Sequence, residues 1–572
     1  MMRSLLSGAA PLCVALMLLT GCGSGSGDGA VAVAPEPTDV RGGLCATPVD
    51  RGSALLRSGA AADRVNTGNQ PSAIHAGNVA RLEPHFVHVA AGAREKRGAP
   101  AMTEQAIFLA AGRDVVAIDR RSGCEYWRHS VERRPDGAGP TRRDNVLRSA
   151  SILHEPARDG RPPVVAAADA YGHVHVLDAT DGRPLWSAFV GTEPGAHRVT
   201  GGMQIHDGVL LVPLSSSEVG RIAVELLQPC CRTHGILAAV DLYDGTVRWR
   251  HHTTGEASFQ LGSGQFAPSG AAIWSTPAID AARNRVYIGT GQNFSRPTTE
   301  TSNAIIALDL DSGEQLWHFQ STPDDAWNVS CETRLAGLLH CARPVGPDFD
   351  FGAPPILTAM PGGGDVIIAG AKNGTVYALN PDTGALRWSR PVGRGGALGG
   401  IHWGMAVDGE RVYAAVSDTT IRKKDAFRSG ESPGLAEMQQ VEGATSGIYA
   451  LDLRNGNVLW SHHPQHRRGD GLRDSIHSAA VTVTNDVLFA GSLDGVLRAL
   501  HVHDGRELWS FDSDIAVRGV NGVDGEGGEI DSAAPVIADD TLLLNSGYAT
   551  FGGADAYKAG PGNALFVFRL AE

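Results

Sequence analysis

Cys230 and Cys231 stand side by side among eight cysteines; Cys13 and Cys22 fall in the N-terminal apolar stretch and its end, which leaves four others, Cys45, Cys124, Cys331 and Cys341, spread along the chain. An even set of cysteines in an oxidising compartment reads as a disulfide framework. The close spacing of Cys331 and Cys341 suggests a bridge across a loop, and Cys45 would be left to pair with Cys124. Spacing alone leaves the connectivity open, because six cysteines allow many pairings. Other chemistry is excluded by missing motifs: the chain holds no CxxCH run for covalent haem, no HExxH zinc pair and no phosphate-cradling P-loop. Acidic residues outnumber basic ones, 62 to 49, for a formal net charge of −13. With no basic stripe, nucleic acid is a poor partner. The basic cluster ERRPDGAGPTRRDN (132–145) reads as a solvated loop.

The elements that must position these groups announce themselves by repetition. An apolar strand, a polar residue, four steps to Gly and four more to Trp recur seven times. The copies are VVAIDRRSGCEYW (115–127), HVLDATDGRPLW (175–186), AAVDLYDGTVRW (238–249), IALDLDSGEQLW (306–317), YALNPDTGALRW (377–388), YALDLRNGNVLW (449–460) and RALHVHDGRELW (498–509). Asp119, Gly123 and Trp127 set the spacing; Asn380 and His501 take the Asp place in two copies. Alternating apolar residues make a half-buried strand. Asp and Gly then turn the chain, the Asp by bonding local backbone and the Gly by tolerating positive φ. The Trp opens the return strand and packs between sheets. Each unit predicts a four-stranded blade of roughly 50–70 residues, the period of propeller repeats. An eighth blade is implied by LFVFRL (565–570), which no turn or Trp follows, and by LEPHFVHVA (82–90), a lone outer strand with Phe86 in the aromatic place. The prediction is an all-β, eight-bladed β-propeller over 45–572, closed by the N-terminal strand, since closure removes sheet edges.

The first residues predict the compartment. Arg3, an apolar run from Leu5 to Leu19 and LLTGC ending at Cys22 match a secretory signal (1–21) with a lipid-attachment box. The Gly/Ser- and Pro-rich stretch that follows, to residue 44, reads as a flexible tether. The expectation is therefore a periplasmic protein held to a membrane, the outer one by preference, only through lipid on Cys22.

Several longer motifs carry a more specific signal: WSTPAIDAARNRVYIGTGQNFSRP (274–297), TPDDAWNVSC (322–331), PDFDFGAPPIL (347–357), CCRTHGILAAVDL (230–242) and GGIHWGMAVDG (399–409). Together with the repeat, they resemble the quinoprotein alcohol dehydrogenases, and within them the polyvinyl-alcohol dehydrogenase branch. The resemblance runs from about Asn66 to the end. It implies an eight-bladed propeller of that type and an enzyme that oxidises an alcohol with pyrroloquinoline quinone and a calcium-type divalent cation. In such enzymes the quinone lies flat between a tryptophan and a vicinal disulfide. Carried over by motif, Trp274 is the stacking floor, as a flat aromatic cofactor needs, and Cys230–Cys231 the vicinal pair. Arg148 and Thr200 stand where the family contacts the quinone's carboxylates and carbonyls. Lys372 stands where a cation polarises the reacting oxygens. Glu218 and Gln292 stand at the metal positions, a carboxylate being a suitable hard ligand.

Departures from the family pattern fall on the same site. Gln292, with Asn293 after it, replaces the family's metal-binding Asn. Asn328 takes the place of the acid that methanol-oxidising relatives carry after DEW. His402 and His477 stand where those relatives have Asn and Trp over the cofactor. The expected base is Asp325, with His402 as the substitute, provided either reaches the substrate hydroxyl. Many members of the branch also carry a haem domain; GGLCATPVD (42–50) has no haem motif, so electrons are expected to pass to a separate acceptor such as a cytochrome c. The insertion at 417–447 is a candidate for shaping the pocket mouth. The alternative is a non-catalytic, lipid-anchored propeller scaffold similar to the outer-membrane protein assembly lipoprotein, because fold alone does not decide function.

Overall fold

The structure is a computed structural model that describes residues 43–58, 64–93, 96–131, 147, 149–223, 227, 229–333, 335–422, 437–468, 471–548 and 559–571. The expected signal, Cys22 and Arg148 lie outside the described residues. Each repeat folds as an antiparallel sheet, and eight such sheets follow one another. Blade four is typical: Ala278–Asp280, Arg285–Gly289, Ala304–Asp309 and Gln315–Gln320 pair in chain order. Inner strands are buried throughout, whereas the outermost strand, carrying the Trp, is only half-buried. Blade one gains a fifth strand, Leu55–Ser58, paired with Ala101–Thr103.

The repeat residues do what the pattern predicts, and the glycine does more. Asp309 Oδ1 accepts hydrogen bonds from the backbone N–H of Asp311 and Ser312, and Asn380 and His501 accept the same bond two residues on in their own turns. Gly456 sits at φ +71°, where a Cβ is costly. It also lies under the neighbouring blade's Trp388, 2.6 Å from where a Cβ would stand. The contact recurs around the ring, Gly182 against Trp127, Gly245 against Trp186 and Gly313 against Trp249. Indole N–H groups complete the joint, Trp127 donating to Ala179 O at 2.9 Å and Trp460 to Val502 O at 2.9 Å. The Asp–Gly–Trp spacing is thus an inter-blade fastener as well as a turn.

Closure follows the expectation. Leu82–Val89 pairs antiparallel with Ala564–Leu570, completing the eighth sheet, of order Val536–Ala538, Thr541–Ser546, Ala564–Leu570, Leu82–Val89. Phe86 takes the tryptophan's role, its ring 3.0 Å from where a Cβ on Gly123 would stand. Blade eight has no Asp–Gly turn, so Trp509 packs instead edge-on against Phe568 of the last inner strand, centroids 5.6 Å apart. Three disulfides are formed: Cys45–Cys124, Cys230–Cys231 and Cys331–Cys341.

Candidate active site

One cavity gathers chemistry from many blades. It encloses about 840 Å³ of space, open solvent included. Its polar wall includes Thr200, Trp274, Gln292, Asp350, Lys372 and His402. Thr200, Trp274, Asp350 and His402 lie ahead of a blade's first strand, and Gln292 and Lys372 just after a second strand. In an antiparallel blade those two places share one end, so spacing along the repeat puts all of them on one face of the ring.

Trp274 is the centre of this wall. Its Nε1 donates to Asp350 Oδ2 at 2.9 Å. Trp403 and His402 meet it edge-on, at 5.3 and 5.6 Å between centroids. Gly352, in the PDFDFG run, lies so close that a Cβ would come 1.8 Å from the indole, so only glycine fits there. Lys372 Nζ stands 5.4 Å from the ring centroid, a cation over an aromatic face.

Lys372 is fully buried between two carboxylates, Asp348 Oδ2 at 3.0 Å and Asp350 Oδ2 at 3.2 Å. Burial works against its charge, but the two aspartates offset that and hold the ammonium above its ordinary range. Asp348 is pushed well above the usual carboxylate range, chiefly by burial; Lys372 opposes the rise, while Asp350 and Asp325 add to it. Its Oδ1 is buried without a hydrogen-bond partner, on a backbone at φ +63°. Gln292 N donates to Asp350 Oδ1 at 2.9 Å, so both oxygens of Asp350 are fixed at the edge of Trp274. Burial, then Lys372 and Arg97, push His402 well below its usual range, which leaves a neutral ring whose Nδ1 bonds Ser478 Oγ at 2.8 Å.

Other expected residues land elsewhere. Asp325 is a correction: it is fully buried behind the wall, where its carboxylate accepts from Asn303 Nδ2 and the backbone N–H of Asp348 and Phe349. It is not among the residues lining the cavity. It shapes the loop that presents Asp348 and Asp350, the two acids that sequence reasoning passed over. Asn328 is a buried tie whose Nδ2 donates to Phe294 O and His340 O, both at 3.0 Å. His477 is buried and bonded to Gly491 O, also away from the cavity. Cys230 and Cys231 are wholly buried in an apolar cluster with Ala272 and Phe294, against which Trp274 packs. Thr200 Oγ1 meets Ser215 Oγ at 3.0 Å on the cavity wall. Ile421, from the 417–447 insertion, also reaches the cavity; 423–436 lie outside the described residues.

The metal positions do not assemble. Glu218 Oε2 accepts from Arg232 N, Thr233 N and Thr233 Oγ1, holding the loop after the vicinal cysteines, and Glu218 does not line the cavity. Gln292 Nε2 donates to Trp327 O. No group of three or more His, Cys, Asp or Glu among the described residues is placed to hold a metal ion.

The comparisons with known proteins bear on this arrangement. The model for the glucose/ethanol/alcohol dehydrogenase β-propeller domain matches residues 69–335, and that for the outer membrane protein assembly factor BamB matches 301–560. A polyvinylalcohol dehydrogenase of Pseudomonas sp. is 33% identical over 540 residues, covering 91% of this chain and 78% of that one. The chain belongs to the quinoprotein alcohol dehydrogenase family. A second polyvinylalcohol dehydrogenase, from Sphingopyxis sp. strain 113P3, is 31% identical and covers 92% of this chain and 78% of its own length. The quinohemoprotein alcohol dehydrogenase crystal structure from Comamonas testosteroni shares the fold, with a TM-score of 0.63 at 19% identity over 90% of this chain and 80% of that one. The cavity of this family member suits the family's cofactor, a planar, tricarboxylated quinone. It offers a flat indole, a buried ammonium, the guanidinium of Arg198 and the hydroxyls of Thr200, Ser215 and Ser216 on one wall.

Proposed function

We propose that this protein oxidises secondary alcohols, up to polymeric ones such as polyvinyl alcohol, with pyrroloquinoline quinone held on Trp274. It works from the periplasm on a lipid anchor at Cys22 and hands electrons to a separate acceptor such as a cytochrome c. The observation that carries the reading is the Trp274–Asp350–Lys372 unit: an aromatic floor, a carboxylate bonded to its edge and a buried ammonium within 3.2 Å of that carboxylate. When bound, the quinone supplies a two-electron acceptor for the hydrogen on the carbinol carbon. Trp274, Thr200 and Arg198 would hold it, with Arg148 from the sequence resemblance.

This chain's residues supply the remainder. Asp350 takes the hydroxyl proton, fixed by Trp274 Nε1 and Gln292 N so that little reorganisation accompanies the transfer. Lys372 stands ready as a preorganised positive charge where negative charge develops. His402, neutral, adds a polar ring without a competing cation. Phe294, Trp327, Val329 and Ile421 form an apolar side that keeps bulk water from the reacting groups. No step is routed through a calcium-type ion, since Glu218 stands outside the cavity with its Oε2 on Arg232 and Thr233.

The scaffold reading keeps one observation, the BamB model over the C-terminal half. A titration separates the two. Adding pyrroloquinoline quinone to the purified protein, with and without calcium, is expected to quench tryptophan fluorescence saturably and to support dye reduction by alcohols. Both effects should disappear in Trp274→Ala. Absence of quenching under both conditions sinks the enzyme reading and leaves the scaffold.

A further inference from the structure

Thirteen large apolar side chains stand exposed among the described residues. Six of them gather on two neighbouring segments: Phe259 and Leu261 on the hairpin Ser258–Gln260/Gln265–Ala267, and Leu335, Leu338, Leu339 and Val345 on or just after the helix Leu335–His340. Leu261 is 92% exposed and Leu338 77%, too open for core residues at the edge of their packing. The two segments touch, Gln265 Nε2 donating to His340 O at 2.9 Å.

This rim is braced from behind and continues into the cavity. The Cys331–Cys341 disulfide closes the helix, and Asn328 Nδ2 ties its last carbonyl to Phe294 O. Trp327 packs with that disulfide, alongside Val219, Val329 and Ile421, and all four also line the cavity. The hairpin hangs from the vicinal pair, with Phe266 N donating to Cys230 O at 2.6 Å. Trp327 and its apolar neighbours therefore join the cavity wall to the disulfide that braces the helix.

The rim also carries little charge. In a chain with 19% charged residues, neither ASFQLGSGQFA (257–267) nor LAGLLHCA (335–342) contains one, and the charges beside them are Arg343, two residues before Val345, and Arg232, stacked over Phe266 at 4.1 Å. Gln260, Ser258 and Ser263 stand among the apolar groups as uncharged hydrogen-bonding partners. A redox protein or an anionic lipid surface docks through a cluster of charge, which these segments do not carry.

We propose that this rim binds the part of a long, neutral alcohol that the cavity cannot hold: a flexible hydrocarbon chain bearing hydroxyls, with one carbinol carbon presented to Asp350. The proposal rests on the dehydrogenase reading for its chemistry, but not for its binding. Leu261→Glu and Leu338→Glu test it, both on exposed positions where folding tolerates charge. Fluorescein-labelled polyvinyl alcohol, titrated into the quinone-free protein and followed by anisotropy, should bind about tenfold more weakly to each variant, the loss expected when a covered leucine becomes a charge. In the loaded enzyme, kcat/KM for the polymer should fall by a similar factor while that for 2-butanol stays within about twofold. Polymer binding unchanged by both substitutions overturns the proposal. So does a wild type that binds no polymer, or variants that lose only cytochrome reduction or only phosphatidylglycerol vesicle binding. A wild type that binds polymer through the rim yet oxidises no alcohol leaves the rim standing and removes the dehydrogenase reading.

Discussion

Replacing Lys372 by Met leaves two buried carboxylates with no cation. Asp348 and Asp350 lie 3.0 and 3.2 Å from Nζ, and neither is more than 4% exposed. Removing one partner of a buried ion pair costs about 3–5 kcal/mol, because the charge left behind keeps its desolvation penalty. The cost depends on pH with a definite sign. Burial already raises Asp348 well above its unfolded value, and losing the ammonium raises it further. A carboxyl raised in the folded state contributes no penalty below the unfolded value, near 4, where both states are protonated. The penalty grows as pH rises through the folded value. Lys372→Met should therefore resemble the wild type in urea at pH 4 and lose about 3–5 kcal/mol by pH 8. Adding Asp348→Asn should return much of that loss, since one carboxyl then remains to accept a proton. Equal destabilisation at pH 4 and pH 8 would show that Lys372 acts by packing alone, and would refute the charge argument for the site.

Two further outcomes follow from the fold. Lys96 is buried beside Ala110, whose carbonyl accepts from Nζ at 2.8 Å, and burial lowers its pKa to about 7. The folded state thus disfavours the ammonium, so stability should rise between about pH 7 and 10, and Lys96→Met should gain up to about 5 kcal/mol at pH 7, read as a higher unfolding midpoint; a wild-type midpoint flat across that window contradicts it. Gly456→Ala places a Cβ 2.6 Å from Trp388 at φ +71°, and should lose about 2–4 kcal/mol from backbone strain and overpacking together. Calorimetry showing no loss would mean the blades can slide apart to admit a methyl group.

The fold was legible because its signal is periodic. Seven copies of one turn, and Phe86 in the eighth aromatic place, each report the same inter-blade contact, so the blade count and the closing strand could be read from spacing. Trp274, Lys372, Thr200, Gln292 and His402 each sit in a motif outside the repeat, and the structure places all five on one cavity. The base was not legible. TPDDAWN offers an acid at a plausible distance from Trp327, but a linear spacing does not say which loop faces the cavity. Asp325 turns inward to hold backbone N–H groups. The acids that do line the wall stand in PDFDFG, and the available signal was positional: two carboxylates directly ahead of a blade's first strand, where Trp274 and His402 also stand. Glu218 was hard to place for a related reason, since a loop glutamate that accepts from backbone N–H groups looks in sequence like a free ligand.

The strand that completes the eighth blade lies some 480 residues, from Val87 to Phe566, from the one it pairs with. Until Ala564–Leu570 has been made, Leu82–Val89 has no sheet to join, and every blade before it belongs to an open arc with two raw edges. Contacts of such range are slow to form and expose partly built sheets in the meantime. Biogenesis is therefore a race in which the first strand must be kept solvated until the last arrives. A circular permutant of the propeller starting at Val536, with Ala571 joined to Gly43, places Leu82–Val89 soon after Ala564–Leu570 in the chain, and should reach its native state faster without any change at the cavity.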